Sequence, residues 1–193
     1  MARMMQITEP VTTLTDFALG TASLAFGYLL SRTLGHRNLV SAWLWCAAFT
    51  TSAIAALLGA TYHGFKPYFD AGTEHALWSA IMYSMGATAG LMLAACHAAN
   101  VRKDPVSMKW LLSGIGVSAI GATIQATGFR HDQDFNHNDA YHVIQILGLY
   151  LIFKGASRMR DRSGPLPDNS QLVHFPQRAV SLPVREVDTE TDQ

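Results

Sequence analysis

Long uncharged stretches dominate the first 160 positions of the chain. No Asp, Glu, Lys or Arg occurs in residues 38–65, 75–101 or 110–129, which are 28, 27 and 20 residues long. An α-helix rises about 1.5 Å per residue, so about 20 apolar residues cross a hydrocarbon core of about 30 Å. The pattern therefore predicts three strong membrane-spanning helices.

Two weaker segments flank or follow these three. Residues 11–31 are largely apolar but contain Asp16, and the uncharged run 140–153 has only 14 residues. The second of these spans a membrane only if its polar flanks also enter the bilayer. We therefore predict an all-α fold, a polytopic membrane bundle of about five transmembrane helices at 12–32, 40–63, 75–99, 109–129 and 139–156.

A soluble bundle with buried helices is the alternative to this fold. Soluble helices carry a polar face, whereas residues 42–59 contain no side chain more polar than Ser or Thr apart from the indole of Trp43 and Trp45. Gly, Ala, Ser and Thr also recur along the chain, as in 86–90. Small residues let membrane helices approach each other closely, so the composition favours the membrane fold.

The basic residues near the predicted helix ends set the orientation. Nine lie on one side and three on the other, and the positive-inside rule places the richer side in the cytoplasm. We therefore expect a multi-pass protein of the inner cell membrane, with residues 1–160 as the transmembrane domain and its N-terminus outside. Residues 161–193 are polar and contain Pro, which predicts a disordered cytoplasmic tail.

Composition narrows the class of function further. Charged residues make up 15% of the chain, where a soluble domain carries roughly 25%. The net charge is zero, so no basic surface indicates a nucleic-acid partner. Two cysteines exclude a disulfide scaffold and a Cys-rich zinc module. Membrane lipids are the expected partners, and a homo-oligomer is a further possibility.

The ionisable residues concentrate on the predicted outer side. Charges at membrane depth cost at least ~2.5–3.5 kcal/mol each, so they usually pair or serve a function. This distribution predicts an outer-side pocket. We expect His63, Glu74, His142 and residues 137–139 to line it, whereas the loop acids Asp70, Asp132 and Asp134 are expected to be solvated. The outer side as a whole carries five histidines and seven acids: His63, His75, His131, His137, His142, Glu9, Asp16, Asp70, Glu74, Asp132, Asp134 and Asp139.

The start of the fifth helix carries the strongest polar signal. Asn138, His142 and Gln145 follow each other at i, i+4 and i+7, which places them on one helical face. Asp139 and His142 are three residues apart and could share a ligand. An Asn or Asp N-cap with an interfacial His explains Asn138 and Asp139 but not the whole stripe, so the stripe favours a functional site.

Metal-assisted hydrolysis is the chemistry that such a pocket supports. A catalytic zinc ion takes three His or carboxylate ligands and a water whose pKa falls to about 7. His63 and His142 are two candidate ligands, and the third is His137 or Asp139. Glu74 is the candidate general base. Asp16, which could equally cap the first helix, and Glu9 are expected to brace the pocket, with Asn138 and Gln145 supporting it.

These motifs resemble the superfamily of membrane hydrolases and receptors that includes alkaline ceramidases and the adiponectin and progestin receptors. Its members are helix bundles around a zinc ion that act on or bind lipids. His63 matches the His that ends the second helix, Glu74 stands at the position of an Asp that begins the third, and His142 matches the second His of a His-x-x-x-His pair in the last. The resemblance implies a divergent bacterial branch, with zinc and lipid amides or esters as cofactor and substrates. The segment 136–142 also resembles a bacterial membrane family with the signature Asn-His-Asn-Asp-x-x-His.

The chain departs from the superfamily pattern at three points. Gly59 stands where members carry a Ser, and Asn138 stands where they carry the first His of the pair. The predicted helices number five rather than seven. The missing hydroxyl and imidazole favour ligand binding over hydrolysis.

Two other functions remain open at this point. A haem-binding membrane cytochrome would pair His63 with His142 on the outer side and use His36 and His97 on the inner side. A non-enzymatic lipid receptor, transporter or scaffold would use the polar cluster as a hydrogen-bond network or a proton path. Catalytic competence would separate the hydrolase from a receptor, and a bound metal would separate both from a scaffold.

Overall fold

The computed structural model describes residues 6–34, 39–99, 104–128 and 135–161, and within them every regular element is helical. The predicted all-α fold is therefore confirmed. A 3-10 turn, Lys66–Tyr68, follows the second helix. The five α-helices are α1 Pro10–Ser31, α2 Leu39–Phe65, α3 Ala71–Ala98, α4 Pro105–Ala126 and α5 His137–Ala156.

Helix caps explain where the helices begin and end. The Asp70 side chain accepts a hydrogen bond from Thr73 N at 2.8 Å, and Asp104 accepts from Ser107 N at 3.1 Å. These two caps begin α3 and α4 four residues before the positions 75 and 109 that hydrophobicity alone predicts. At the other end of α4, Gly128 has a φ of 65° and donates to Gln125 O, an arrangement that ends the helix.

The helices pack in the order α3, α2, α1, α5, α4. Helix α1 packs along both α2 and α5, so it lies at the centre of this order. Among the described residues, α3 packs extensively only against α2, and α4 only against α5. The first and last helices of the order therefore each leave a side that no other described helix covers.

Glycines bring neighbouring helices close together. A Cβ at Gly114 would lie 2.7 Å from Gly148 O, and a Cβ at Gly155 would lie 3.0 Å from Ser107 O, so α4 and α5 approach almost backbone to backbone. Between α1 and α2, a Cβ at Gly20 would lie 3.1 Å from Leu57. This close packing through small residues is typical of membrane helices.

Three helical segments are long and apolar enough to cross a membrane. They are Leu39–Tyr68, Ala71–Ala98 and Pro105–Ala126, with 30, 28 and 22 residues. They include most of each of the three uncharged stretches of the sequence, so the prediction of three helices that are able to span a membrane is confirmed. Most of α3 is exposed on the protein surface, and its exposed residues include large apolar side chains, such as Tyr83 and Leu93.

The helical unit extends at least to Asp161, one residue past the predicted boundary. Asp161 accepts hydrogen bonds from Val40 N at 2.8 Å and Ser41 N at 2.9 Å, so it caps the start of α2 from a distance of 120 residues in sequence. The remainder of the predicted tail, 162–193, lies outside the described residues. Ten further residues from the sequence analysis also lie outside the described residues. They belong to the ionisable residues of the predicted outer side, to the two inner histidines or to the basic residues near predicted helix ends: Arg3, His36, Arg37, Arg102, Lys103, Arg130, His131, Asp132, Asp134 and Arg162.

Candidate functional site

A cavity of about 630 Å³ lies among the five helices and is partly open to the outside. Each helix contributes side chains to its wall. Helices α3 and α4, which are not extensively packed against each other, line it along with α1, α2 and α5. The volume is within the range of cavities that bind small molecules, about 300–1,000 Å³.

The polar side chains of the wall concentrate near one end of the bundle, which we call the polar end. They come from the start of α1, the end of α2, the end of α4 and the start of α5, which meet there in the antiparallel arrangement. The polar end consists of Asp16, His63, Gln125, Asn138, Tyr141, His142 and Gln145.

The rest of the wall is largely apolar. Methionines of α3 face Ile and Leu side chains of α4 and α5, while Ser52, Thr88 and Ser118 are its few hydroxyls. Met side chains are flexible and adapt to ligands of different shape. We call this part the apolar arm and define it by Ile81, Met82, Met85, Met92, Ile115, Leu149 and Ile152.

A buried carboxylate and a buried imidazole form the centre of the polar end. His142 Nε2 lies 3.2 Å from Asp16 Oδ1, and only 6% of His142 and 3% of Asp16 is exposed. The other ring nitrogen, Nδ1, lies 3.0 Å from Thr15 Oγ1. Two residues that are adjacent in α1 therefore hold both nitrogens of an imidazole in α5.

Two proton arrangements with an ionised Asp16 fit this geometry. In the first, the Thr15 hydroxyl donates to Nδ1 and His142 donates its Nε2 proton to the Asp16 carboxylate. In the second, the Thr15 hydroxyl donates to Thr12 O, 3.0 Å away, and accepts from a doubly protonated His142. In both arrangements the Asp16 Oδ1 atom is occupied, while Asp16 Oδ2 is buried and has no hydrogen-bond partner among the described residues.

Gly59 makes room for the Asp16 carboxylate. A Cβ on Gly59 would lie 3.1 Å from both Asp16 Oδ1 and Asp16 Oδ2, which is closer than such contacts normally are. The space that a Ser side chain would need is filled by a carboxylate from α1.

A second, more exposed pair lies beside the first. His63 Nδ1 is 3.2 Å from Glu9 Oε2, with 20% and 41% of the two side chains exposed. Of the pair, only His63 lines the cavity. Glu9 and Asp139 are close enough to Asp16 to act on it electrostatically, so three carboxylates meet near the polar end. Asp16 and Glu9 thus each hold one of the two predicted histidines.

The start of α5 combines a helix cap with part of the cavity wall. Asn136 accepts from Asn138 N at 2.8 Å, and Asp139 Oδ2 accepts from Asn136 N at 2.7 Å, which completes a capping box. Asn138 Oδ1 accepts from Gln125 Nε2 at 3.0 Å and so ties α5 to α4. Asp139 is fully buried but does not line the cavity.

The remaining predicted residues lie away from this wall. His137 is the first residue of α5, and Glu74 lies in the first turn of α3; neither lines the cavity. Gln145 does line it, as the helical spacing predicts. The alternative of Asp16 as the α1 cap is wrong, because α1 begins at Pro10 and Asp16 lies buried in its second turn.

The described residues contain no group of three His, Cys, Asp or Glu side chains arranged to hold a metal ion. Both nitrogens of His142 already contact Thr15 and Asp16, so they do not fit a zinc ligand without rearrangement. The zinc site and the paired-His haem site stay predictions of the sequence, and no chemical step is derived from either.

Sequence reasoning missed several residues of the site. Thr15 and the apolar arm carry no local signal, because only the packing of α1 on α5 brings Thr15 to His142. Tyr141 lies within the segment 136–142 but was not predicted as a site residue. Gln125 contacts the predicted Asn138 in the structure, but the sequence around Gln125 has no polar pattern. The capping box could have been predicted from the sequence, because Asn136 and Asp139 have the required spacing of three residues.

One protein-family model matches the chain over residues 11–104 and 88–161, and its description is "Family of unknown function (DUF6962)". The two matches together cover more than half of the chain. The protein belongs to this family. The matched residues include every side chain that lines the cavity. No curated protein and no solved structure matches the chain.

Proposed function

We propose that this protein is an integral membrane protein that binds an amphipathic lipid or lipid-like molecule in its central cavity. The head group lies at the polar end and the hydrocarbon chain lies along the apolar arm. The observation that carries this proposal is the division of one cavity into a buried polar end and a long apolar wall. A soluble polar metabolite would leave the apolar wall without a partner.

The packing of the helices supports entry from the bilayer. Helices α3 and α4 are both apolar enough to span a membrane, and both line the cavity. They are not packed extensively against each other in the described structure, so a chain can pass between them from the lipid phase. We propose five transmembrane helices in the inner membrane, with the N-terminus outside and the polar end near the outer surface.

Binding is better supported than hydrolysis. Thr15 is the hydroxyl that contacts His142, but it does not line the cavity and so does not meet a bound ester or amide. Glu74, the predicted base, does not line the cavity either. The polar end therefore contains a hydrogen-bonded carboxylate and imidazole without a nucleophile that faces the ligand.

A pair of variants on α3 tests the proposal. Ala89 lines the cavity and Ala87 does not, although both are exposed residues of the same helix. We expect purified wild-type protein to retain close to one amphiphile per chain in mass spectrometry of its lipid extract. Ala89→Trp is expected to lose most of it, because the indole fills part of the cavity, whereas Ala87→Trp retains it. Equal retention by both variants contradicts the proposal.

Metal-dependent hydrolysis of a lipid amide or ester is the second candidate function. It is favoured by His142, which lines the cavity and is oriented by a carboxylate, as the histidine of a hydrolase is. The relation to the ceramidase and receptor superfamily belongs to this candidate. Elemental analysis and an absorption spectrum of the purified protein, beside His142→Ala, test it. About one zinc per chain in the wild type, lost in the variant, supports this candidate. A haem band supports the cytochrome, and the absence of both zinc and haem removes both candidate functions.

A further inference from the structure

We infer that the bound amphiphile carries a protonated amine head group, which donates a hydrogen bond to Asp16 Oδ2. This inference rests on the proposed function and adds the chemical class of the ligand. The Asp16 side chain is only 4% exposed, and the residue lines the cavity. One of its oxygens is bonded to His142, and the other has no partner among the described residues.

A buried carboxylate oxygen without a donor is costly. Leaving such an atom without a donor destabilises the folded state, and more so when the group is charged. In both proton arrangements of Thr15 and His142, the missing donor is at Oδ2. Asp16 forms part of the cavity wall, so a small rotation of its carboxyl group brings the buried Oδ2 atom to a ligand in the cavity, which can supply that donor.

The charges around the cavity determine the sign of the head group. Among the described residues that line the cavity there is no Lys or Arg, while Glu9 and Asp139 act electrostatically on Asp16. A carboxylate or phosphate head group would meet no Lys or Arg among these lining residues, and the two histidines of the polar end, His63 and His142, are already paired with Glu9 and Asp16. An ammonium group both donates N–H bonds and balances the charge. Trp78 and Tyr141, which also line the cavity, offer ring faces that attract a cation.

The cavity itself has room for a single hydrocarbon chain. A methylene group occupies about as much space as a water molecule in the liquid, about 30 Å³, so 630 Å³ holds on the order of 20 such groups. That is enough for one chain of about 16 carbons with its head group. The two chains of a diacyl phospholipid need far more.

Three probes with the same chain test the inference: hexadecylamine, hexadecanol and hexadecanoate. Binding is measured to the full chain in nanodiscs, with empty nanodiscs as the reference for partitioning. We expect the wild-type protein to bind the amine at least about tenfold more tightly than either of the others. Asp16→Asn is expected to abolish this preference, because the amide neutralises the charge at the head group.

Asp70→Asn is the matched control, because it makes the same change at a carboxylate that caps α3 outside the cavity and is expected to keep the preference. Gly59→Ala, which crowds both Asp16 oxygens, is a second test and is expected to weaken amine binding most. Equal binding of amine and alcohol by the wild-type protein overturns the inference and leaves the proposed function in place. Failure of all three probes to bind removes the proposed function as well.

Discussion

At the scale of single residues, the central feature is the contact between Asp16 and His142. Each lies on the side of its helix that faces the other helices, and each is almost fully buried. Charged groups at this depth are expensive unless they are paired and hydrogen-bonded. The pair therefore both positions α1 against α5 and creates the polar end of the cavity.

A double-mutant cycle measures how strongly these two residues depend on each other. We expect Asp16→Ala and His142→Ala each to lower the free energy of unfolding by roughly 3 kcal/mol or more, because each leaves a buried partner unpaired. The double variant is expected to lose less than the sum, by about 1–3 kcal/mol. Unfolding of the protein in detergent provides the measurement.

The pair formed by Glu9 and His63 is the control for that cycle. It has a similar separation of 3.2 Å but is much more exposed, so its coupling is expected to stay below about 1 kcal/mol. If the two cycles give the same coupling energy, burial of the Asp16–His142 pair is not what makes it important.

Several residues of the site were predicted from the sequence, but their contacts were not. The spacing of Asn138, His142 and Gln145 correctly places all three on the cavity wall. The position of Asp16 was ambiguous, because an acid near the start of a helix fits a cap and a buried site equally well. Glu74 has the right distance in sequence from His63 but does not line the cavity. Its position could not be predicted, because the local sequence does not determine how α3 is rotated about its axis.

At the scale of elements, close contacts between backbones hold α4 against α5. Gly114 tests this contact, because a Cβ there would lie 2.7 Å from Gly148 O and 2.9 Å from Ile152 N. Backbone atoms cannot move aside as a side-chain end can. We expect Gly114→Ala to lower the free energy of unfolding by about 1–3 kcal/mol.

Gly116 is the matched control two residues along the same helix. Nothing lies within 4 Å of a Cβ at this position, so Gly116→Ala is expected to be neutral or to stabilise the helix by about 0.5–1 kcal/mol. Thermal unfolding of both variants in the same detergent gives the comparison. A similar loss in both would mean that glycine flexibility, rather than close packing, is required in α4.

The cap of α4 predicts a dependence of stability on pH. Hydrogen bonds from the Ser107 hydroxyl and its backbone N–H hold the pKa of the Asp104 carboxyl below its usual value of about 3.9. Because the pKa is lowered in the folded state, the cap stabilises the protein above the unfolded pKa and is lost as the pH falls through the folded pKa.

Asp104→Ala is therefore expected to cost about 1 kcal/mol at pH 7, and the difference from wild type is expected to shrink below about pH 4. Asp104→Asn retains a capping oxygen without the titration, so its stability should change less with pH than that of the wild type. An equal loss for Asp104→Ala at pH 3 and pH 7 would mean that ionisation of Asp104 does not contribute.

The existence and approximate extent of the helices could be predicted, and their first residues could not. Uncharged runs locate α2, α3 and α4 because a membrane span needs a minimum apolar length. They say little about where a helix begins, since Asp70 and Asp104 extend α3 and α4 by local hydrogen bonds that a hydrophobicity pattern does not contain. The same holds for Asp161, which caps α2 through a contact that is distant in sequence.

At the scale of the whole molecule, the order α3, α2, α1, α5, α4 creates the cavity. This order leaves α3 and α4 without extensive contact in the described structure, and both line the cavity. The packing order of the helices could not be predicted from the sequence, because all five helices are only weakly amphipathic and short loops permit several arrangements. A polar pocket was predicted from the charge distribution, while the continuation of the polar end into an apolar arm depends on the order of the helices.

The position of a bound amphiphile tests the account most directly. A hexadecylamine analogue with a photoreactive diazirine in its chain can be crosslinked to the full chain in nanodiscs and the labelled peptides identified. We predict labels on the apolar arm, at Met82, Met85 and Ile115, that Ala89→Trp removes and Ala87→Trp preserves. Labels confined to outward-facing residues such as Tyr83 and Leu93, unchanged by either variant, would contradict the account.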